Sequence, residues 1–339
     1  MTLLPTLGKR DLTIDAARGT ALVSMFIAHA APSGGPGDVL NLSEFLTAAL
    51  FATLVGAGAQ QSAWHRTPWA VTIVRGGSLI GVGLLLHELG AQVYIVLTQL
   101  GVLTVLAALL ARCGSALVTV VGMGVGFSGS LALPWLRGLE LATQGPERLL
   151  WYLTIGDSYR LTTMVLWAAT GILFARAEPW LAARRRVTIA SAAVLVALAG
   201  GFLIAKRVGW LVLHPYSGTP DELIFNAALS HLVLLTALLV ATSSWRTLLD
   251  PLAAAGRMTL TLYAAHIVFL AAWVGPWGHP TDNSWLVLAA LCLGAAVIVA
   301  LWEPIWRRTG WRGPIEGVVH AASELVASRR RQPSGSAAS

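Results

Sequence analysis

The chain has 339 residues, of which 56% are hydrophobic and only 12% charged, and its mean hydropathy is +0.70. Soluble domains carry roughly 25% charged residues, so a water-soluble globule is excluded, because it would expose too much apolar surface. The net charge of +7 therefore bears on membrane topology, and no nucleic-acid partner is expected. Cys113 and Cys292 lie in separate apolar segments with no spaced His or Cys beside them. Neither a disulfide framework nor a metal site is expected, and both cysteines read as packing residues.

Apolar stretches near 12–31, 43–64, 68–87, 92–111, 115–135, 159–176, 187–205, 222–243, 256–275 and 284–304 approach the roughly 20 residues that cross a bilayer core. The expected fold class is all-α, a polytopic membrane helical bundle of about ten transmembrane helices. The first apolar stretch leads into loop and further spans, so it reads as a helix of the bundle and not as a cleavable signal peptide. A cytoplasmic N-terminus puts Lys9, Arg10, Arg66, Arg112, Arg176, Arg184, Arg185, Arg186, Arg246, Arg307, Arg308, Arg312 and Arg329 to Arg331 inside. Only Arg137, Arg148, Lys206 and Arg207 then fall outside, which favours two cytoplasmic termini in the inner (plasma) membrane. Tryptophans at segment ends, among them Trp64, Trp135, Trp210 and Trp306, suit interfacial belts. Residues 1–325 read as one bundle, and the polar, small-residue run over 326–339 reads as a disordered cytoplasmic tail.

In chain order, the first span (IDAARGTALVSMFIAHAAP) carries Asp15, Arg18 and His29. At about 100° per residue the three fall within roughly 40–60° of one another, a single polar stripe. Arg18 and His29 are nevertheless about 16 Å apart along the axis and serve different depths of one groove. Glu44 begins the second span on the outer side, and Arg75 falls in the cytoplasmic half of the third. Gln99 lies in the fourth, Asp157 and Arg160 (GDSYR) open the sixth, and Asp221 and Glu222 open the eighth, which also holds His231. Arg257 starts the ninth, where Tyr263 and His266 follow at mid-depth. The outer loops near 32–42, 136–158 and 206–221 carry Gly, Pro and acidic residues, as substrate-contacting loops do.

Ionisable groups inside membrane helices are expensive and mark function. His29, open to the outer side and oriented by a carboxylate, is what a general base needs to take a proton from a sugar or lipid hydroxyl. The competing reading makes His29 a helix cap, and Glu44, Asp157 and Glu222 helix-dipole partners. Arg18, Arg75 and Arg257, directed into the bundle from the cytoplasm, suit the phosphates of an acyl-CoA. Snorkelling and an Asp15–Arg18 ion pair compete with that reading. His266 either lines the reaction path or is a neutral histidine joining two helices.

The segment from Asp15 through Arg18 and Gly19 to His29 resembles the first helix of the acyltransferase-3 family. LFATLVGAGAQ, PLAAAGRMTLTLYAAHIVFL and RGPIEGVV are more similar to bacterial relatives of heparan-alpha-glucosaminide N-acetyltransferase. Both families belong to a transmembrane acyltransferase superfamily. The Asn and the later His-Ala-Pro-Trp stretch of the lysosomal branch are missing, and His29 stands near that Asn position. The resemblance implies transfer of an acyl group, most simply acetyl, from cytoplasmic acyl-CoA to an extracytoplasmic glycan or lipid. On that reading His29 and Glu44 are catalytic, Arg18, Arg75 and Arg257 hold the donor, and Asp157, Arg160, Glu222 and His266 contact the acceptor. The bilayer is the standing partner, and a homo-oligomer is compatible. The alternative is a transporter or flippase of an envelope lipid or glycan precursor, in which the same charges would line a substrate path.

The charge asymmetry makes one expectation testable. Cysteines introduced at Gly35 and Gly218 should be labelled from outside the cell, and cysteines at Arg185 and Ser334 should not. Outside labelling at position 185 would reverse both faces.

Overall fold

The computed structural model describes residues 11–138, 147–154, 156 and 158–329. Every regular element among them is helical: α1 (Leu12–Ala30), α2 (Leu42–Trp64), α3 (Trp69–His87), α4 (Leu97–Leu110), α5 (Ser115–Gly138), α6 (Glu147–Thr154), α7 (Leu161–Ala183), α8 (Arg185–Arg207), α9 (Pro220–Ala241), α10 (Asp250–Arg257), α11 (Thr259–Val274), α12 (Trp285–Thr309) and α13 (Pro314–Arg329). Asp11 starts α1 as its N-cap, its Oδ1 accepting from the Thr13 N–H at 3.0 Å and the Ile14 N–H at 3.4 Å.

Helix α1 is the axis of the bundle. It packs against α2, α9, α10, α11 and α12 and buries Ile14, Ala17, Ala21, Leu22, Met25 and Phe26. It runs antiparallel to α2: Asp11 takes a hydrogen bond from Gln61 at one end, and Ser24 and Thr47 share one of 2.8 Å towards the other. Helices α2 and α7 run parallel, since Gln60 accepts from Arg176 at 2.8 Å near one end while Glu44 and Arg160 line one cavity at the other. Their backbones touch through glycine. A Cβ on Gly56 would stand 1.9 Å from the Ala168 carbonyl oxygen, and one on Gly171 would stand 1.9 Å from that of Thr53. Small residues that admit backbone contact are the usual adhesive where lipid removes the hydrophobic drive between helices.

Among the described residues, six stretches are long and apolar enough to cross a bilayer: Pro36–Trp64, Trp69–His87, Ser115–Arg137, Arg185–Arg207, Pro220–Ala241 and Trp285–Ser328. The α8 stretch and the last one are each only 11% buried in their most apolar windows, so most of their apolar surface is left for lipid. The expected count of about ten exceeds these six for identifiable reasons. Helix α4 has 14 residues, α1 carries Asp15 and Arg18, α7 carries Arg176 and Glu178, and α10 and α11 form a pair bent by 69°. That bend, at Met258, interrupts a segment expected to be one continuous span. Helix α6 occupies part of an expected loop, and α13 extends to Arg329, past residue 326 where a disordered tail is expected. Cys292 is exposed on α12 instead of packed.

The α2–α7 contact yields a stability test. A Gly56→Ala variant must push the two backbones apart and should lose about 1–3 kcal/mol in a detergent melt. Gly77→Ala, with no atom within 4 Å of its Cβ, should be neutral or stabilising.

Candidate functional site

Two histidines separated by 237 positions meet at the heart of the bundle. His29, in the last turn of α1, places Nδ1 3.2 Å from Nε2 of His266 on α11. Their rings stack with centroids 5.4 Å apart and planes 26° from parallel. Phe26 closes one side of His266 at 5.6 Å, and Tyr263 meets it edge-on at 5.0 Å. Tyr263 is fixed in turn, its hydroxyl accepting from the Val96 N–H at 3.2 Å. His266 is fully enclosed, whereas His29 is half-buried. The sequence places the first histidine at the outer edge and the second at mid-depth; the fold makes them one unit. Among the described residues it is His266, and not a carboxylate, that hydrogen-bonds His29.

A second polar assembly lies beside the α2 and α7 starts. Glu44, Arg160 and Glu222 line one cavity with Tyr159, Trp167 and Asn226; its volume is about 10 Å³, room for a single water. Two of the three expected site residues there are committed to the chain itself. Glu222 accepts from the Tyr216 N–H at 2.8 Å, the Ser217 hydroxyl at 3.0 Å, the Asn226 amide at 3.2 Å and the Gly218 N–H. Arg160 donates to the Tyr216 carbonyl at 3.0 Å. Together they fold the loop before α9, and Gly218, at φ 74°, leaves room for Arg160, since a Cβ there would stand 2.4 Å from Nη1. Glu222 and Arg160 therefore hold a loop in place, where sequence reasoning expected substrate contacts. Glu44 makes no hydrogen bond among the described residues, and the buried Oδ1 of Asn226 has none either. Asp157, the fourth expected member, lies outside the described residues.

At the other end of α1, Arg18 pairs with buried Asp15 at 3.2 Å and approaches Gly58 of α2. Arg75 on α3 has an exposed side chain and stands within electrostatic reach of Arg312, Arg18 and Glu324. Arg257 lies 4.5 Å over the Trp306 ring and shares a cleft with Arg312 and Glu303. Arg312 thus neighbours all three expected arginines. Sequence reasoning used it only as a topology charge; its place just before the GPIE run was the available signal. His231 shares a hydrogen bond with the Ala227 carbonyl at 2.8 Å, and Arg176 braces the α4–α5 turn through Ala111 and Cys113. Gln99 is buried with its Oε1 unpaired.

Residues 174–325 match the profile of DUF418, a family described as a protein of unknown function. The matched stretch runs from the second half of α7 into α13. It contains Arg257, His266 and Arg312 and leaves Arg18 and His29 outside. The match does not extend the resemblance to acyltransferase-3 or to the heparan N-acetyltransferases. No curated protein matches the chain.

The loop before α9 carries a pH signature. Burial, with the Glu44 and Glu222 charges adding to it and a hydrogen bond from Tyr159 opposing, pushes the Tyr216 hydroxyl up to about 12. Its folded value lies above the ordinary value of about 10, so its contribution to stability is complete below pH about 10 and is lost as pH rises through about 12. Alkaline melts of the wild type should show this loss, and Tyr216→Phe should flatten it. Identical alkaline slopes would separate the loop from Tyr216.

Proposed function

We propose that this chain is a membrane acyltransferase that moves an acyl group, most simply acetyl, from cytoplasmic acyl-CoA to a hydroxyl or amine of an extracytoplasmic glycan or lipid. The observation that carries the reading is the His29–His266 contact: one enclosed and one half-buried imidazole from distant helices, beside a fixed tyrosine. If His29 Nδ1–H donates to His266 Nε2, the second nitrogen of His29 is the free base. That nitrogen takes the proton of the acceptor group as its oxygen or nitrogen bonds to the thioester carbonyl. The carbon–sulfur bond breaks, and the departing thiolate receives the proton back from the imidazolium. His266 holds the ring's tautomer, the part a carboxylate plays in other histidine sites.

The donor end of this reading is the arginine group. Guanidinium pairs bind phosphate oxygens through charge-assisted bonds, and Arg18, Arg75, Arg257 and Arg312 offer four at one end of the bundle. From Arg18 to His29 the axis of α1 rises about 16 Å, a distance the thioester arm of a nucleotide donor would cover along the helix.

The same reading includes ten crossings with both termini cytoplasmic. Parity supports it. With α2 and α7 parallel, the chain between them must cross an odd number of times, so α3 and α5 need α4 as a third crossing. The continuous partnership of α1 with α2 likewise supports a full crossing for α1.

Replacement of His29 by Gln keeps size and hydrogen bonding but removes the base. Turnover on the native acceptor should fall about 10²–10⁴-fold while the detergent melt stays where it was. A fully active Gln variant would remove His29 from the mechanism.

A further inference from the structure

The break between α10 and α11 exposes a structural problem that a distant residue solves. Helix α11 starts afresh after a 69° bend, so its first backbone N–H groups have no carbonyl within the helix. Leu260 is half-buried and Thr261 buried there, so an unmet donor would be costly. Glu316, in the first turn of α13, accepts from the Leu260 N–H at 2.7 Å and the Thr261 N–H at 3.1 Å through one oxygen. Its other oxygen takes the Thr261 hydroxyl, and that hydroxyl in turn accepts from the Ile315 N–H at 3.2 Å. Two helix N-termini therefore converge on one carboxylate, the charge both dipoles favour.

The surrounding sequence is built for this contact. Gly313 is buried beside it, and a Cβ there would stand 2.3 Å from Glu316 Oε2. Pro314 opens α13 at the first helical position, where its missing N–H costs nothing. The GPIE run thus delivers a carboxylate to the start of α11. Five residues beyond Thr261, the same helix presents His266 to His29.

We propose that Glu316 is a positioning residue for the histidine pair: by capping the broken helix it fixes the rotation and depth of α11, and so the 3.2 Å approach of His266 to His29. The geometric part stands on these contacts alone; its effect on turnover rests on the acyltransferase reading above. Glu316 touches neither histidine, so its influence must pass through the backbone of α11.

The test uses the full chain in detergent or nanodiscs, with nitrogen-15-labelled histidine. Nuclear magnetic resonance of the imidazole nitrogens reports the His29–His266 hydrogen bond, and acyl transfer is measured on the same samples. Glu316→Gln retains an acceptor for Leu260 and Thr261 and should keep the imidazole signature and turnover within about threefold of wild type. Glu316→Ala should lose the signature and about tenfold or more in kcat, with KM for the donor unchanged. Loss of the signature in a protein without acyl-transfer activity would support the positioning role and count against the acyltransferase reading. Should the Ala variant not fold, Gly313→Ala displaces the same carboxylate. An intact His29–His266 signature in either folded variant would overturn the proposal.

Discussion

The fold depends on backbone contact through glycine around α1 and α2. A Cβ on Gly19 would stand 2.0 Å from the Leu252 carbonyl oxygen, and one on Gly256 would stand 1.8 Å from that of Asp15. With the Gly56 and Gly171 contacts, these draw α10 against α1 and α7 against α2. Lipid offers no hydrophobic gain for burying leucine, so close dispersion contact between backbones has to hold the helices together. The consequence reaches the candidate site. A helix held this tightly at the centre keeps buried Asp15 and half-buried Arg18 at one end and half-buried His29 at the other.

Polar side chains in the bundle divide into those whose bonding is complete and those with capacity left. Arg176, Glu222 and Glu316 spend their groups on backbone atoms of turns and helix ends. Each ties a turn or a helix end to the bundle, which is structural work. His266, Asn226 and Gln99 are different, since each keeps a buried polar atom without a protein partner. Leaving such a group unsatisfied in a buried place costs on the order of 1–3 kcal/mol. That cost concentrates attention on the histidine pair and on the Glu44 cavity, and away from Glu222, whose four donors leave it no capacity for a ligand.

Much of the helical framework was legible because hydropathy is a local property. Each expected span has a helix under it, and the Asp15–Arg18–His29 stripe follows from periodicity alone. What sequence could not supply was pairing at a distance. Nothing local to His29 announces His266, and the contact exists only because α1 and α11 pack. The break at Met258 was hidden for a related reason: the apolar run over 256–275 continues straight through it, and hydropathy does not register a bend. Arg160 and Glu222 were identified as residues that matter, but charge at a helix start does not reveal whether the partner is a ligand or the chain's own loop. Helix α13 carries helix-start signals at Pro314 and Glu316 but, at 16 residues with two glutamates, gives no membrane-span signal in hydropathy.

The site also divides unevenly along the chain. The stretch matching the DUF418 profile, residues 174–325, contains the broken helix, its cap at Glu316, His266 and Arg312. Arg18 and His29 lie outside it on α1. The supporting half of the assembly therefore belongs to a C-terminal unit that braces itself, through hydrogen bonds among α11 and α13. Helix α1 contributes the half-open imidazole and the paired arginine, and it has few such bonds of its own to that unit. Its place is set by glycine contacts with α10 and by packing. A helix positioned mainly by shape needs few side-chain bonds to fix it, so on the proposed reading the groups of Arg18 and His29 left over from the Asp15 and His266 contacts are the ones that would meet donor and acceptor.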